Sequence, residues 1–126
     1  MTLSVLIPIY KGSQTLRATL DSLRAQNDSD FTIIIGNDTK KEDQDELRKV
    51  RSVVKSFSDL KITYRENPAN LGCQGNFQKL VDMAESSIVL FLAHDDIFSE
   101  DAVKIVRNAF EKNKGVGFLI RPYFWF

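Results

Sequence analysis

Ile88-Val-Leu-Phe-Leu-Ala-His-Asp-Asp96 is the stretch on which the reading of this chain turns. Residues 88–93 are apolar without a break. A run of this kind reads as a strand buried on both faces, as in a parallel sheet covered by helices. It stops on His94, Asp95 and Asp96. Adjacent carboxylates at the end of a buried strand are unfavourable unless a cation accompanies them. A hard divalent metal carrying phosphate oxygens is the simplest candidate.

Working outward, the chain alternates between two periodicities. Residues 3–9 are apolar and β-rich, a strand ending at Pro8-Ile9-Tyr10. Ser13 is the expected N-cap of a helix reaching about Ala25, with Leu16, Leu20 and Leu23 on one face. Residues 31–35 form a second apolar strand, closed by Gly36-Asn37-Asp38-Thr39. Leu47, Val50, Val54 and Phe57 mark a second helix, and residues 61–65 alternate like a more exposed strand. Pro68 turns Asn67 away from helical geometry, and Gly72 permits positive φ, so residues 66–72 read as a loop. A third helix opens at Gly75-Asn76 with Phe77, Leu80, Val81 and Ala84 inward. Ser99 is placed to cap a fourth helix over residues 100–112, and residues 116–120 read as a fifth strand.

Strand followed by helix four times predicts an α/β fold: a doubly wound, mostly parallel, Rossmann-like sheet with helices on both faces. Such sheets bind ligands beyond the carboxyl ends of their strands, where strand order reverses. Three polar groups follow strands here: Tyr10 with Lys11, Asn37 with Asp38, and His94 with Asp95 and Asp96. They should share one crevice.

Composition sets the bounds. The 126 residues suit one domain with a core of its own. Lys plus Arg equals Asp plus Glu, at 17 each, which argues against bulk nucleic-acid binding. The lone cysteine, Cys73, cannot form an internal disulfide and fits a reducing compartment. No apolar run approaches the roughly 18 residues of a membrane span. No signal peptide is apparent, so the expected setting is the cytoplasm, with peripheral association at the inner membrane face compatible. Cys73 reads as a packing residue, and Gly72-x-x-Gly75 as turn geometry, since neither a dinucleotide nor a P-loop pattern is complete.

Four segments, in order, resemble the nucleotide-binding part of GT-A fold glycosyltransferases, in particular the inverting family-2 type. They are Ser4-Val-Leu-Ile-Pro-Ile-Tyr10, Phe31-Thr-Ile-Ile-Ile-Gly-Asn-Asp38, Asn67-Pro-Ala-Asn-Leu-Gly72 with Asn76, and Leu92-Ala-His-Asp-Asp96. The resemblance implies a site residue by residue. Pro8, Ile9 and Tyr10 would line the base and ribose pocket. Asp38 would accept a hydrogen bond from the base, most naturally the imide of uracil or thymine. Gly72 and Asn76 would lie on the nucleotide, and Asp95 near the ribose. Asp96, with His94, would hold Mg²⁺ or Mn²⁺ on the diphosphate. Two departures from the family pattern stand out: the acidic pair of the second strand is Asn37-Asp38, and His94 stands where the metal motif often begins with Asp.

The implied reaction transfers sugar, with inversion, from a nucleoside-diphosphate sugar (UDP- or dTDP- favoured) to a glycan or polysaccharide acceptor. A metal bridging both phosphates would stabilise the departing diphosphate. The acceptor hydroxyl needs a general base, which the resemblance places beyond Phe126. The expectation is therefore one domain, 1–126, cut before its acceptor-binding half. A nucleotide-binding fragment without turnover is the second reading. A response-regulator-like domain ranks lower, because Pro8-Ile9-Tyr10 stands where it needs an acidic residue.

Overall fold

The structure, a computed structural model, describes residues 1–125; Phe126, the last residue of the aromatic tail, lies outside them. Eight elements alternate: β1 (Leu3–Ile9), α1 (Leu16–Arg24), β2 (Thr32–Asn37), α2 (Gln44–Lys55), β3 (Ile62–Glu66), α3 (Gly72–Met83), β4 (Ile88–Phe91) and α4 (Ala102–Lys112). All strand pairings are parallel, and the sheet order is β3-β2-β1-β4. The chain steps outward from β1 through β2 to β3, then crosses back to pair β4 on the other side of β1. Strand order thus reverses beside β1, which makes the β1/β4 boundary the switch point.

Side-chain alternation divides the sheet between two cores. Leu3, Val5, Ile7, Ile9, Ile33, Ile35 and Ile88 face α1, α2 and α4, meeting Leu16, Leu20, Leu23, Val50, Val53, Phe57, Val103 and Val106. Leu6 and Ile34 face the other way, where only α3 covers them, through Leu80. Helices therefore lie on both faces, three on one and one on the other. The first core is by far the larger, and burial of its aliphatic side chains, about 1.5–3 kcal/mol each, supplies most of the driving force.

Several boundaries differ from expectation, for identifiable reasons. β4 is an edge strand rather than a strand covered on both sides, with Val89 39% and Phe91 42% exposed. Helix α3 packs on β1 and β2 and reaches β4 mainly by setting Phe77 against Phe91, ring centroids 4.9 Å apart. The face α3 turns to the sheet carries Asn76, Leu80 and Met83, so Val81 is exposed rather than inward. Residues 116–120 form no strand. Among the described residues they have no ladder partner; Val116, Phe118 and Ile120 face solvent, while Leu119 packs on the core. A β-prone sequence without a neighbour to pair with stays irregular. Helix α4 begins at Ala102, after the expected start, and Ser99 contributes its carbonyl rather than its hydroxyl to that turn. Ser13 does not cap α1. Its N–H and hydroxyl both donate to the Glu46 carboxylate, at 2.8 and 2.6 Å, and Thr15 occupies the cap position.

Pro8 sits in a strand with neighbours on both sides, a position that proline normally avoids. Pairing of β1 with β4 ends at Leu6↔Phe91, and the last bond is Leu92 N–H to the Leu6 carbonyl. Backbone groups of alternate residues point the same way, so the ring nitrogen of Pro8 faces the gap where β4 has already left.

Candidate donor site at the strand ends

Beyond the carboxyl ends of β1, β2 and β4 lies a cavity of about 440 Å³. That is a common size for a small-ligand pocket. Pro8, Ile9 and Tyr10 line it from β1, Asp38 from β2, and Ala93 and His94 from the segment after β4. Asn70, Gly72, Cys73, Asn76 and Phe77 close it from the loop before α3 and from α3 itself. The expected residues Pro8, Ile9, Tyr10, Asp38, Gly72, Asn76 and His94 therefore share one cavity. Asp95 and Asp96 are not on its wall; both stand exposed on the adjoining turn. Asn70, Cys73, Phe77 and Ala93 are lining residues that the sequence does not mark; Cys73, which reads as a packing residue, is exposed on the cavity wall. Phe77 had been given to the core, and its period-matched neighbours gave no sign that it also borders open space.

The β2 side of the cavity is closed by a hydrogen-bonded cluster, in which only the buried Oδ1 of Asn67 has no partner among the described residues. Asp38 is only 3% exposed. One carboxylate oxygen accepts from Asn67 Nδ2 at 2.9 Å and the Leu71 N–H at 2.8 Å. The other accepts from Asn70 Nδ2 at 3.0 Å and the Gly72 N–H at 2.9 Å. A carboxylate offers about four lone-pair sites, so this one is saturated. Its partners are Leu71, the N-cap of α3, and Gly72, the first residue of that helix, whose N–H groups have no acceptor within the helix. Gly72 has φ +77, which lets the loop deliver those N–H groups. Asn76 is likewise engaged on both ends of its amide: it donates to the Gly36 carbonyl at 2.9 Å and accepts from Asn67 at 3.0 Å. Asp38 and Asn76 thus differ from the free contacts expected of them. A base N–H reaches Asp38 only by displacing one of four donors.

Next to this cluster, Asn37 donates to the Tyr64 hydroxyl, which donates to Glu66. Burial pushes the Tyr64 phenol above its ordinary pKa. The Arg51 guanidinium, bonded twice at 2.6 Å, holds the Glu66 carboxyl below the usual range.

The β4 side is open. The N–H of Asp96 donates to the Ala93 carbonyl at 3.2 Å, closing a turn over residues 93–96. Among the described residues, neither Asp95 nor Asp96 forms an ion pair. Nδ1 of His94 lies 2.9 Å from the Thr15 hydroxyl. The loop of Tyr10 to Gly12 comes up against the same ring: a Cβ on Gly12 would stand 2.9 Å from Nδ1.

The donor set suits a hard divalent ion held in part by its ligand. No group of three or more His, Cys, Asp or Glu side chains converges among the described residues. Two carboxylates without an ion pair remain beside the cavity, Asp95 and Asp96. Mg²⁺ is bound in this way, by one or two carboxylates and substrate phosphates.

The sequence profile of the family described as glycosyl transferase family 2 matches residues 4–125. The chain belongs to this family. It is 32% identical over 117 residues to the amylovoran biosynthesis glycosyltransferase AmsB of Erwinia amylovora, covering 93% of this chain and 38% of that protein. An uncharacterized glycosyltransferase of Haemophilus influenzae is 28% identical over 120 residues, covering 95% of this chain and 38% of its own length. The chain thus spans well under half of these relatives.

Among solved structures, S. aureus TarS 1-349 in complex with UDP-GlcNAc superposes with a TM-score of 0.76 at 23% identity, over 89% of this chain and 32% of that one. The mannosyltransferase PcManGT of Pyrobaculum calidifontis, in complex with GDP-Man and Mn²⁺, gives 0.65 at 18% identity, over 76% and 28%. These likenesses establish the shared glycosyltransferase fold.

Proposed function

We propose that this chain is the donor-binding part of a metal-dependent, inverting glycosyltransferase acting on a nucleoside-diphosphate sugar, with UDP- or dTDP-sugars favoured. The observation that carries the reading is convergence: the ends of β1, β2 and β4 meet at the switch point on one cavity, and unpaired carboxylates stand beside it. The fold neighbours hold UDP-GlcNAc or GDP-Man, one of them with Mn²⁺, which supports both ligand class and ion. The name of the AmsB relative supports a polysaccharide or other glycan as acceptor.

In this reading Pro8, Ile9 and Tyr10 flank the base and ribose, and Asp95 lies towards the ribose. Asp96, with His94 beside it, would hold Mg²⁺ or Mn²⁺. The ion when bound would neutralise charge on the departing diphosphate. Asp38 and Asn76 shape the cavity wall from behind. The base that deprotonates the acceptor would come from the remaining length of the relatives. A chain that binds donor without turnover is the second reading. Release of sugar from donor separates the two.

The test is a thermal-shift panel of UDP, dTDP, GDP and ADP with and without Mn²⁺. One nucleotide should raise the melting temperature more than the others, and further with metal than without it, by an amount matching about 2.7 kcal/mol at a hundredfold excess over Kd. Flat curves throughout would end the donor-site reading. No helix among the described residues is long and apolar enough to cross a membrane.

A further inference from the structure

The segment between β4 and α4 has no regular secondary structure from Leu92 to Asp101, yet it carries the acidic turn. Its backbone groups must find partners elsewhere. Several find them on side chains of α1 and of the residues that flank it. Thr19, fully buried in α1, directs its hydroxyl to two carbonyls of the turn, His94 at 2.9 Å and Asp96 at 2.7 Å. Thr15, one turn earlier, meets the His94 ring at 2.9 Å. The Ser22 hydroxyl accepts the Phe98 N–H at 3.1 Å. Gln26 accepts the Val103 N–H at 3.0 Å and donates to the Ser99 carbonyl at 2.7 Å. Thr15, Thr19 and Ser22 are spaced by four and three, from the N-cap into the helix, so they form one stripe along α1, and Gln26 follows just past its C-cap.

We infer that this polar stripe of α1 positions the acidic turn, and that Thr19 is the residue which fixes Asp96 in place for a divalent cation. The inference rests on the donor-site reading above. Its geometry is specific. The two carbonyls that Thr19 joins bracket Asp95 and belong to the residues on either side of it. A single hydroxyl therefore sets the opening of the turn, and with it the directions of the Asp95 and Asp96 side chains. Without that hydroxyl the turn keeps its own Asp96 to Ala93 bond, at 3.2 Å, and the contact of Thr15 with the His94 ring. Groups that orient a metal's ligands typically change affinity by about 10–100-fold when removed.

The experiment compares Thr19→Val, which keeps the shape and loses the hydroxyl, with Thr19→Ser, which keeps the hydroxyl. Mn²⁺ affinity is measured by electron paramagnetic resonance in the presence of the nucleoside diphosphate that stabilises the wild type. Nucleotide affinity without metal is measured beside it. Thr19→Val should weaken Mn²⁺ by about 10-fold or more, Thr19→Ser by less than about 3-fold, and metal-free nucleotide affinity should stay within about 2-fold in both. Three results overturn the inference: unchanged Mn²⁺ affinity in Thr19→Val, an equal loss in Thr19→Ser, or a parallel loss of metal-free nucleotide affinity. If urea titration shows Thr19→Val unfolded, Ser22→Ala takes its place. That variant removes the tether two residues beyond Asp96 and should weaken Mn²⁺ by about 3-fold, a smaller step of the same kind. No change there overturns the inference equally. A wild type that binds Mn²⁺ with none of the nucleotides defeats the donor-site reading itself, and this inference falls with it. A wild type that binds, with variants that match it, defeats the positioning role alone.

Discussion

Asp38 and Asp96 both follow parallel strands of the same sheet, one on the cavity wall and the other on the turn beside it, and their surroundings are opposite. Asp38 is buried under four donors drawn from residues 67–72. Asp96 is exposed on a turn and forms no ion pair among the described residues. The difference lies in what the chain does next. After β2, a distant loop returns and brings the free N–H groups of the α3 start to the carboxylate. After β4, only carbonyls of the turn are held, by Thr19, and the carboxylates are left outward. One aspartate holds the wall of the site, and the other remains available to a ligand.

The comparison makes ranked predictions. Asp38→Ala should lower stability most, by about 4 kcal/mol, because two helix N–H groups and two amides lose their acceptor together. Urea unfolding measures this, and a loss under about 1 kcal/mol would erase the contrast.

Asp28 offers a third environment, in which the protein itself supplies the cation. Arg107 donates to Asp28 at 2.7 Å and also to the Met1 and Asp30 carbonyls. The guanidinium holds the Asp28 carboxyl below its ordinary range. The folded pKa lies under the unfolded one, so the stabilisation is complete above about pH 4 and fades as pH falls through the folded value. Arg107→Met should therefore cost about 3 kcal/mol at pH 7, with the gap to wild type narrowing below about pH 4. Unfolding curves across that window test the sign; a gap that widens in acid contradicts it.

Gly36→Ala probes the closed cluster from behind. The new Cβ would meet Asn76 Oδ1 at 2.7 Å and Leu80 Cδ2 at 3.1 Å. Asn76 is tied on both sides and cannot swing away, so a loss of about 2 kcal/mol is expected in the same urea titration. Asp96→Ala completes the series. Stability should move by less than about 0.5 kcal/mol, since an exposed unpaired side chain is removed. The Mn²⁺-dependent thermal shift should vanish; its persistence would place the ion elsewhere.

Much of this was legible in the sequence. An apolar run that ends in polar residues marks a strand's carboxyl end, and three such ends located the crevice. The apolar run at 88–91 could not reveal that it lies at an edge, because its pattern resembles that of a covered strand. Residues 116–120 have strand-forming composition, but pairing is a property of neighbours. The saturation of Asp38 depends on backbone N–H groups delivered from over thirty positions away. The stripe at 15, 19 and 22 has helical spacing, but it is polar, and apolar periodicity does not mark it.

Pro8 gives one consequence that no contact displays. The cavity exists partly through a hydrogen that the chain never had. With a donor at that position, the two neighbouring strands could zip one step further and draw the turn in over the opening. A ring in place of that donor works as a stop, and the room left for a guest is the length of ladder that never forms.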